Sequence, residues 1–104
     1  MIVAFEKEYL KNLYRTGKGD KKHRFQPDVI RNYQKCIARM IDAPDIEALS
    51  LIGSLHYEVL QGDKKGKSSI RVNLQYRIEF TVQKDKNYLK LTLCNILELS
   101  NHYK

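Results

Sequence analysis

At 104 residues, with 19 Lys and Arg against 12 Asp and Glu for a formal charge of +7, the chain has room for one domain and no second core. A domain this size buries roughly 60 to 70% of the surface its unfolded form exposes and has little stability in reserve, and its excess positive charge points to a polyanionic partner such as a nucleic-acid backbone. Cys36 and Cys94 with three scattered histidines exclude a disulfide framework and a spaced zinc site; with no signal peptide and no apolar run near the roughly 20 residues of a membrane span, the expected location is the cytoplasm, with no membrane partner and no metal cofactor.

In chain order, Ile2 to Phe5 is a short β-prone run. Tyr9, Leu10, Leu13 and Tyr14 then recur at helical spacing. Gly17-Lys18-Gly19-Asp20 ends that helix, and the lysines after it belong to a solvated loop. Pro27 suits a first helical position, and Val29, Ile30, Tyr33, Cys36, Ile37, Met40 and Ile41 repeat every three or four residues as an amphipathic helix. Its other face carries Arg31, Lys35 and Arg39, an ordinary solvated stripe. Pro44 ends the helix by forcing the preceding residue out of the α region.

From Leu55 the apolar period becomes two. Leu55, Tyr57 and Val59 alternate with His56 and Glu58; Ile70 and Val72 flank Arg71; Tyr76, Ile78, Phe80 and Val82 alternate with Arg77, Glu79 and Thr81. These predict three half-buried strands. A fourth run, from Tyr88 to Leu99, puts leucines at 89, 91 and 93 and again at 97 and 99 on its buried face, with an interruption at Asn95 that suits a bulge. A strand, two helices and then a series of strands make a single α+β domain spanning residues 1–104, its N-terminal strand and two helices packed on a C-terminal antiparallel sheet.

The link from Val72 to Tyr76 is so short that Arg71 falls opposite Arg77 on the polar face. Like charges in that position are destabilising. A phosphate between the two guanidinium forks would remove the conflict, and so would a carboxylate of matching parity, Glu58 or Glu79. Parity also turns His56 outward, where an imidazole can exchange protons at cellular pH. His102 is a second such group, next to Tyr103. The segment Gln61 to Lys67 holds two glycines and Lys64, Lys65 and Lys67, the composition of a soluble turn and equally of a loop that approaches a phosphate backbone.

The ordered series Leu55-His56-Tyr57-Glu58-Val59-Leu60-Gln61-Gly62-Asp63-Lys64-Lys65-Gly66, then Ser69-Ile70-Arg71-Val72 and Tyr76-Arg77-Ile78-Glu79-Phe80, resembles the HigB branch of the RelE/ParE toxin superfamily. The motifs cover about half of the chain, and the order of elements agrees over nearly all of it. The resemblance implies the toxin of a type II toxin–antitoxin pair, an endoribonuclease that cuts mRNA on the 70S ribosome without a cofactor. Its implied partner is a helix-turn-helix, HigA-like antitoxin, the toxin being monomeric alone and part of a larger complex with that antitoxin. On this resemblance His56 and His102 share the acid and base roles, Arg71 and Arg77 clamp the phosphate, and Lys64, Lys65, Lys67 and Tyr103 contact RNA or ribosome. The C-terminus departs from the family's Asp-Tyr-His ending: Leu99-Ser100-Asn101-His102-Tyr103-Lys104 lacks the acid and the preceding tyrosine. Two other functions fit the same residues less well: a gyrase poison of the ParE kind, against which the two histidines argue, and a plain RNA-binding or repressor-assisting module.

Overall fold

The computed structural model of the chain describes residues 1–84 and 91–101. Strand β1 (Ile2–Phe5) leads into helix α1 (Glu8–Thr16), followed by α2 (Pro27–Asp42) and the short α3 (Ile46–Ser50). A 3₁₀ turn (Gly53–Leu55) precedes β2 (Glu58–Val59), and another (Gly62–Lys64) precedes β3 (Ser68–Arg71), β4 (Tyr76–Lys84) and β5 (Thr92–Asn101). The five strands form one sheet in the order β1-β5-β4-β3-β2. The expected α+β class holds. The N-terminal strand joins the sheet itself, parallel to β5 with Ile2 beside Leu93 and Phe5 beside Ile96, whereas the other three pairings are antiparallel. Among the described residues no helix is long and apolar enough to cross a membrane.

Both long helices end where the sequence indicates. Gly17 takes a left-handed conformation (φ 73°) at the close of α1, and its N–H reaches the Leu13 carbonyl at 3.1 Å. Pro27 opens α2, and Ala43, pushed into extended conformation before Pro44, closes it. The two helices are joined by the Tyr33 hydroxyl, which donates to the Leu10 carbonyl at 2.8 Å within the core. Their apolar stripes, Tyr9, Leu10 and Leu13 with Val29, Tyr33, Cys36, Ile37 and Met40, bury against Ile70, Ile78, Phe80, Cys94, Ile96 and Leu99 of the sheet. Helix α3 was not legible in the periodicity because it is only one turn and a half long. Its signal is local: the Asp45 carboxylate accepts from the Ala48 N–H at 2.8 Å.

Two strand assignments change. Leu55 to Val59 is no continuous half-buried strand: Leu55 ends a 3₁₀ turn, His56 is left-handed (φ 45°, ψ 54°), and Glu58 and Val59 alone pair, on the sheet edge, with Val59 exposed. A left-handed residue breaks the two-residue repeat, so the alternation of residue types here reflects a turn that tucks Leu55 inward. In β5 the leucines at 91 and 93 do not form the buried face; Thr92, Cys94 and Ile96 do, and Leu91 is exposed. Leu89 lies outside the described residues. The expected interruption exists but falls two residues later: Glu79 pairs with Glu98 and Phe80 with Ile96, which leaves Leu97 as the extra residue of a β-bulge.

Candidate active site

Directly paired residues of neighbouring antiparallel strands share a face, so the register sorts the side chains. Ile70, Ile78 and Leu99 form one row under the helices, with Ser68, Phe80 and Ile96 the next. On the open face the corresponding rows are Arg71, Arg77 and Ser100, then Glu58, Ser69, Glu79 and Glu98. The Arg71–Arg77 pairing expected from the short link is present, the turn being closed by the Val72 N–H on the Tyr76 carbonyl at 2.9 Å. The Asn73 side chain fixes this turn by accepting from the N–H groups of Gln75 (2.9 Å) and Tyr76 (2.6 Å).

Arg77 is the most constrained of the open-face cations. Its side chain is 14% exposed, and its Nη1 is fully buried with no hydrogen-bond partner among the described residues. The nearest carboxylate, Glu58, stands 3.6 Å away, beyond hydrogen-bond distance. One other buried side-chain atom among the described residues is likewise unpartnered: the hydroxyl of Ser69. Ser69 sits diagonally across from Arg77, in the adjacent strand and adjacent row. Buried polar groups are almost always hydrogen-bonded, and these two exceptions occupy neighbouring positions on one polar face. Ser69 was missed in the sequence, although Ser69-Ile70-Arg71 places it on the same face as Arg71 by simple alternation.

The acidic row is divided. Glu79 is buried and its carboxylate is met by the Lys64 ammonium at 2.5 Å, so this part of the lysine turn is committed to the sheet and Glu79 is unavailable to the arginines. Lys65 remains exposed and Lys67 is half-buried, on a turn where Gly62 (φ 67°) and Gly66 (φ 93°) occupy the left-handed region. Of the two carboxylates considered as neutralisers, Glu58 alone approaches Arg77, from the exposed edge strand.

His56 is exposed and stands at the mouth of β2. It is the one residue other than glycine with positive φ among the described residues, and such backbone positions concentrate at functional sites. His102 and Tyr103 lie outside the described residues. The structure therefore brings together Arg71, Arg77 and Ser69, with Glu58 at their edge, while His56 precedes the edge strand in an exposed turn.

A further constellation escaped the sequence reading. The His23 ring lies flat on Tyr9, centroids 3.6 Å apart and planes 1° apart, and its Nδ1 is held by the Asp20 carboxylate at 2.8 Å. Burial foremost, then the charges of Glu98 and Asp20, push the Tyr9 hydroxyl above its usual range, with the Leu99 backbone acting weakly the other way. A concavity of about 630 Å³ lies elsewhere, between the α3 segment and the far end of the sheet, lined by Pro44, Ile46, Tyr57, Val82 and Thr92 among others. Among the described residues its lining holds neither histidine nor arginine.

A family model described as the RelE-like toxin of the type II toxin-antitoxin system HigB matches residues 3–93. Toxin HigB-1 of Vibrio cholerae serotype O1 is 36% identical over 81 residues, covering 77% of this chain and 82% of that protein. Among solved structures, a YoeB/ParE toxin from Agrobacterium tumefaciens superposes with a TM-score of 0.62 at 16% identity, covering 99% of this chain and 100% of that one. A mutant of YafQ from E. coli gives 0.56 at 13% identity over 96% of this chain and 91% of the other. The toxin–antitoxin complex YoeB-YefM from Staphylococcus aureus gives 0.52 at 19% identity over 99% and 98%. At these identities the three structural likenesses speak to the fold.

Proposed function

Because the chain belongs to the HigB-like family of type II toxin–antitoxin toxins, we propose that it is an endoribonuclease that cuts mRNA on the ribosome and is held in check by a HigA-like helix-turn-helix antitoxin. The observation that carries this reading is the buried, unpartnered Nη1 of Arg77 beside the paired Arg71. Two guanidinium groups at directly paired positions, with Ser69 diagonally beside them, suit the non-bridging oxygens of a phosphodiester.

In the proposed reaction a base removes the 2′-hydroxyl proton, the 2′-oxygen attacks phosphorus, and an acid protonates the departing 5′-oxygen, leaving a 2′,3′-cyclic phosphate. Arg71 and Arg77 neutralise the charge that builds on the phosphorane oxygens. His56 takes one proton-transfer role and His102 the other. The exposed Lys65, the half-buried Lys67 and Tyr103 meet RNA or ribosome; Lys64 acts by fixing the turn through Glu79.

The test is mapping of 5′ ends of cellular mRNA after induction. The wild-type chain should generate new ends within translated messages and arrest growth, and Arg77→Ala should do neither while still binding the antitoxin. Normal cleavage by Arg77→Ala, or chromosome breaks in place of cut messages, would remove the nuclease reading.

A further inference from the structure

We propose that the loop joining α1 to α2, residues 18–24, is a second phosphate-binding edge that holds an RNA strand beyond the arginine row. This rests on the nuclease reading only for the identity of the strand. The loop carries Lys18, Lys21, Lys22 and Arg24, all exposed, and among the described residues none of these side chains pairs with a carboxylate. Its one acid, exposed Asp20, is engaged within the loop: Asp20 Oδ1 accepts from the N–H groups of Lys22 (3.0 Å) and His23 (2.8 Å) as well as from the His23 ring. The carboxylate therefore shapes the loop, and the cations face outward.

A solvated run of lysines is usually mobile, but this one starts from a fixed backbone. The imidazole of His23 is stacked on the buried Tyr9, and Phe25 meets Tyr76 edge-on at 5.6 Å. A side chain at Gly19 would come within 2.2 Å of the His23 carbonyl, so the two limbs of the loop touch and only glycine fits. Holding the backbone in advance lowers the ordering cost of a contact.

Position supplies the second argument. Phe25, at the loop's far limb, meets Tyr76, which immediately precedes Arg77 in β4. The loop thus sits at the end of the sheet that bears the arginines, by the start of β4. The loop's anchors, Tyr9, Phe25 and Tyr76, pack with the core on the helix side of the sheet, so an RNA strand leaving Arg77 meets the loop by passing over this end of the sheet. Arg31, Lys35 and Arg39 on the exposed face of α2 carry comparable charge on a helix face that points elsewhere, and serve as an internal control.

The experiment measures binding of the full chain to a fluorescent 20-nucleotide RNA made uncleavable by 2′-O-methylation, over a range of KCl concentrations. Lys21→Gln/Arg24→Gln should lower the slope of log affinity against log salt by about 1.4, two single-strand phosphate contacts, and weaken binding roughly twentyfold near 0.1 M salt. Arg31→Gln/Lys35→Gln should leave both unchanged. The proposal is overturned by an unaltered slope in the loop variant, by an equal fall in the control, by absence of RNA binding in the wild type at low salt, or by a loop variant that loses the antitoxin and keeps RNA. Cleavage is scored separately: a wild-type chain that cuts mRNA with an unchanged loop-variant slope sinks this proposal alone, and one that binds RNA through the loop but cuts nothing sinks the nuclease reading alone.

Discussion

Arg77→Met should make the protein more stable and inactive at once. In the folded chain the guanidinium faces Arg71 across a strand pair, a like-charge contact costing on the order of 0.2–1 kcal/mol, and its buried Nη1 lacks a partner, at about 1–3 kcal/mol. Against this stands the 3.6 Å approach of Glu58, a residue whose side chain is 59% exposed, worth about 0–1 kcal/mol. Methionine keeps most of the apolar stem that Arg77 packs on the sheet. The balance favours the variant by about 1–2 kcal/mol, which for a domain near 100 residues raises the melting temperature by at least about 4 °C. Cleavage should fall by roughly 10²–10³, the usual loss for one pre-placed donor to a developing charge. Thermal melts of purified wild type and variant, with 5′-end mapping after induction, measure the two effects. A variant less stable than wild type would show that the guanidinium is a structural group, and the anion-site argument would then fail even if cleavage were lost.

The remaining expectations concern groups around that face. Lys64→Met strands the buried Glu79 carboxylate; because the lysine is itself half exposed, the cost should be about 1–3 kcal/mol, and adding Glu79→Gln should recover much of it in a urea-denaturation double-mutant cycle. Asp20 experiences some desolvation, but hydrogen bonds from His23 and Lys22 prevail and hold its carboxyl below the usual aspartate value. Its contribution to stability is therefore present above the unfolded aspartate value and lost as pH falls through the lower folded one. Asp20→Asn should accordingly melt with a weaker acid dependence than wild type at and below the unfolded aspartate value, and identical acid profiles would refute this. Burial pushes the thiols of Cys36 and Cys94 up to about 11, so iodoacetamide at pH 8 should modify neither in the folded chain and both in urea; rapid labelling of the native protein would contradict the burial.

The helices were legible because their stripes are long and punctuated: Gly17 and Pro44 stop what Tyr9 and Val29 begin. The Arg71–Arg77 pairing was legible because a short turn leaves the register little choice. Three features were not. Helix α3 is too short to show a period. The left-handed His56 imitates an alternating strand in residue type while its backbone turns. The stack of His23 on Tyr9 joins residues 14 apart, across a loop whose shape depends on Asp20 and Gly19 and on no periodic pattern. The orphaned Ser69 hydroxyl shows the same limit: alternation places it on the correct face, but its isolation from partners is a property of packing.

The bulge at Leu97 ties the core to the candidate site. Carried on without it, the ladder that pairs Phe80 with Ile96 would bring Glu98 opposite Ile78, beneath the helices, and Leu99 opposite Arg77, on the open face. The extra residue moves β5 by one position, so that Leu99 joins Ile78 in the core and Ser100 comes beside Arg77. One irregularity thus removes a buried carboxylate from the apolar layer and an exposed leucine from the arginine row. Burial and the polar face therefore demand the same register, and the apparent flaw in the leucine pattern of the last strand is what lets a basic, oxygen-seeking surface lie directly over a closed core.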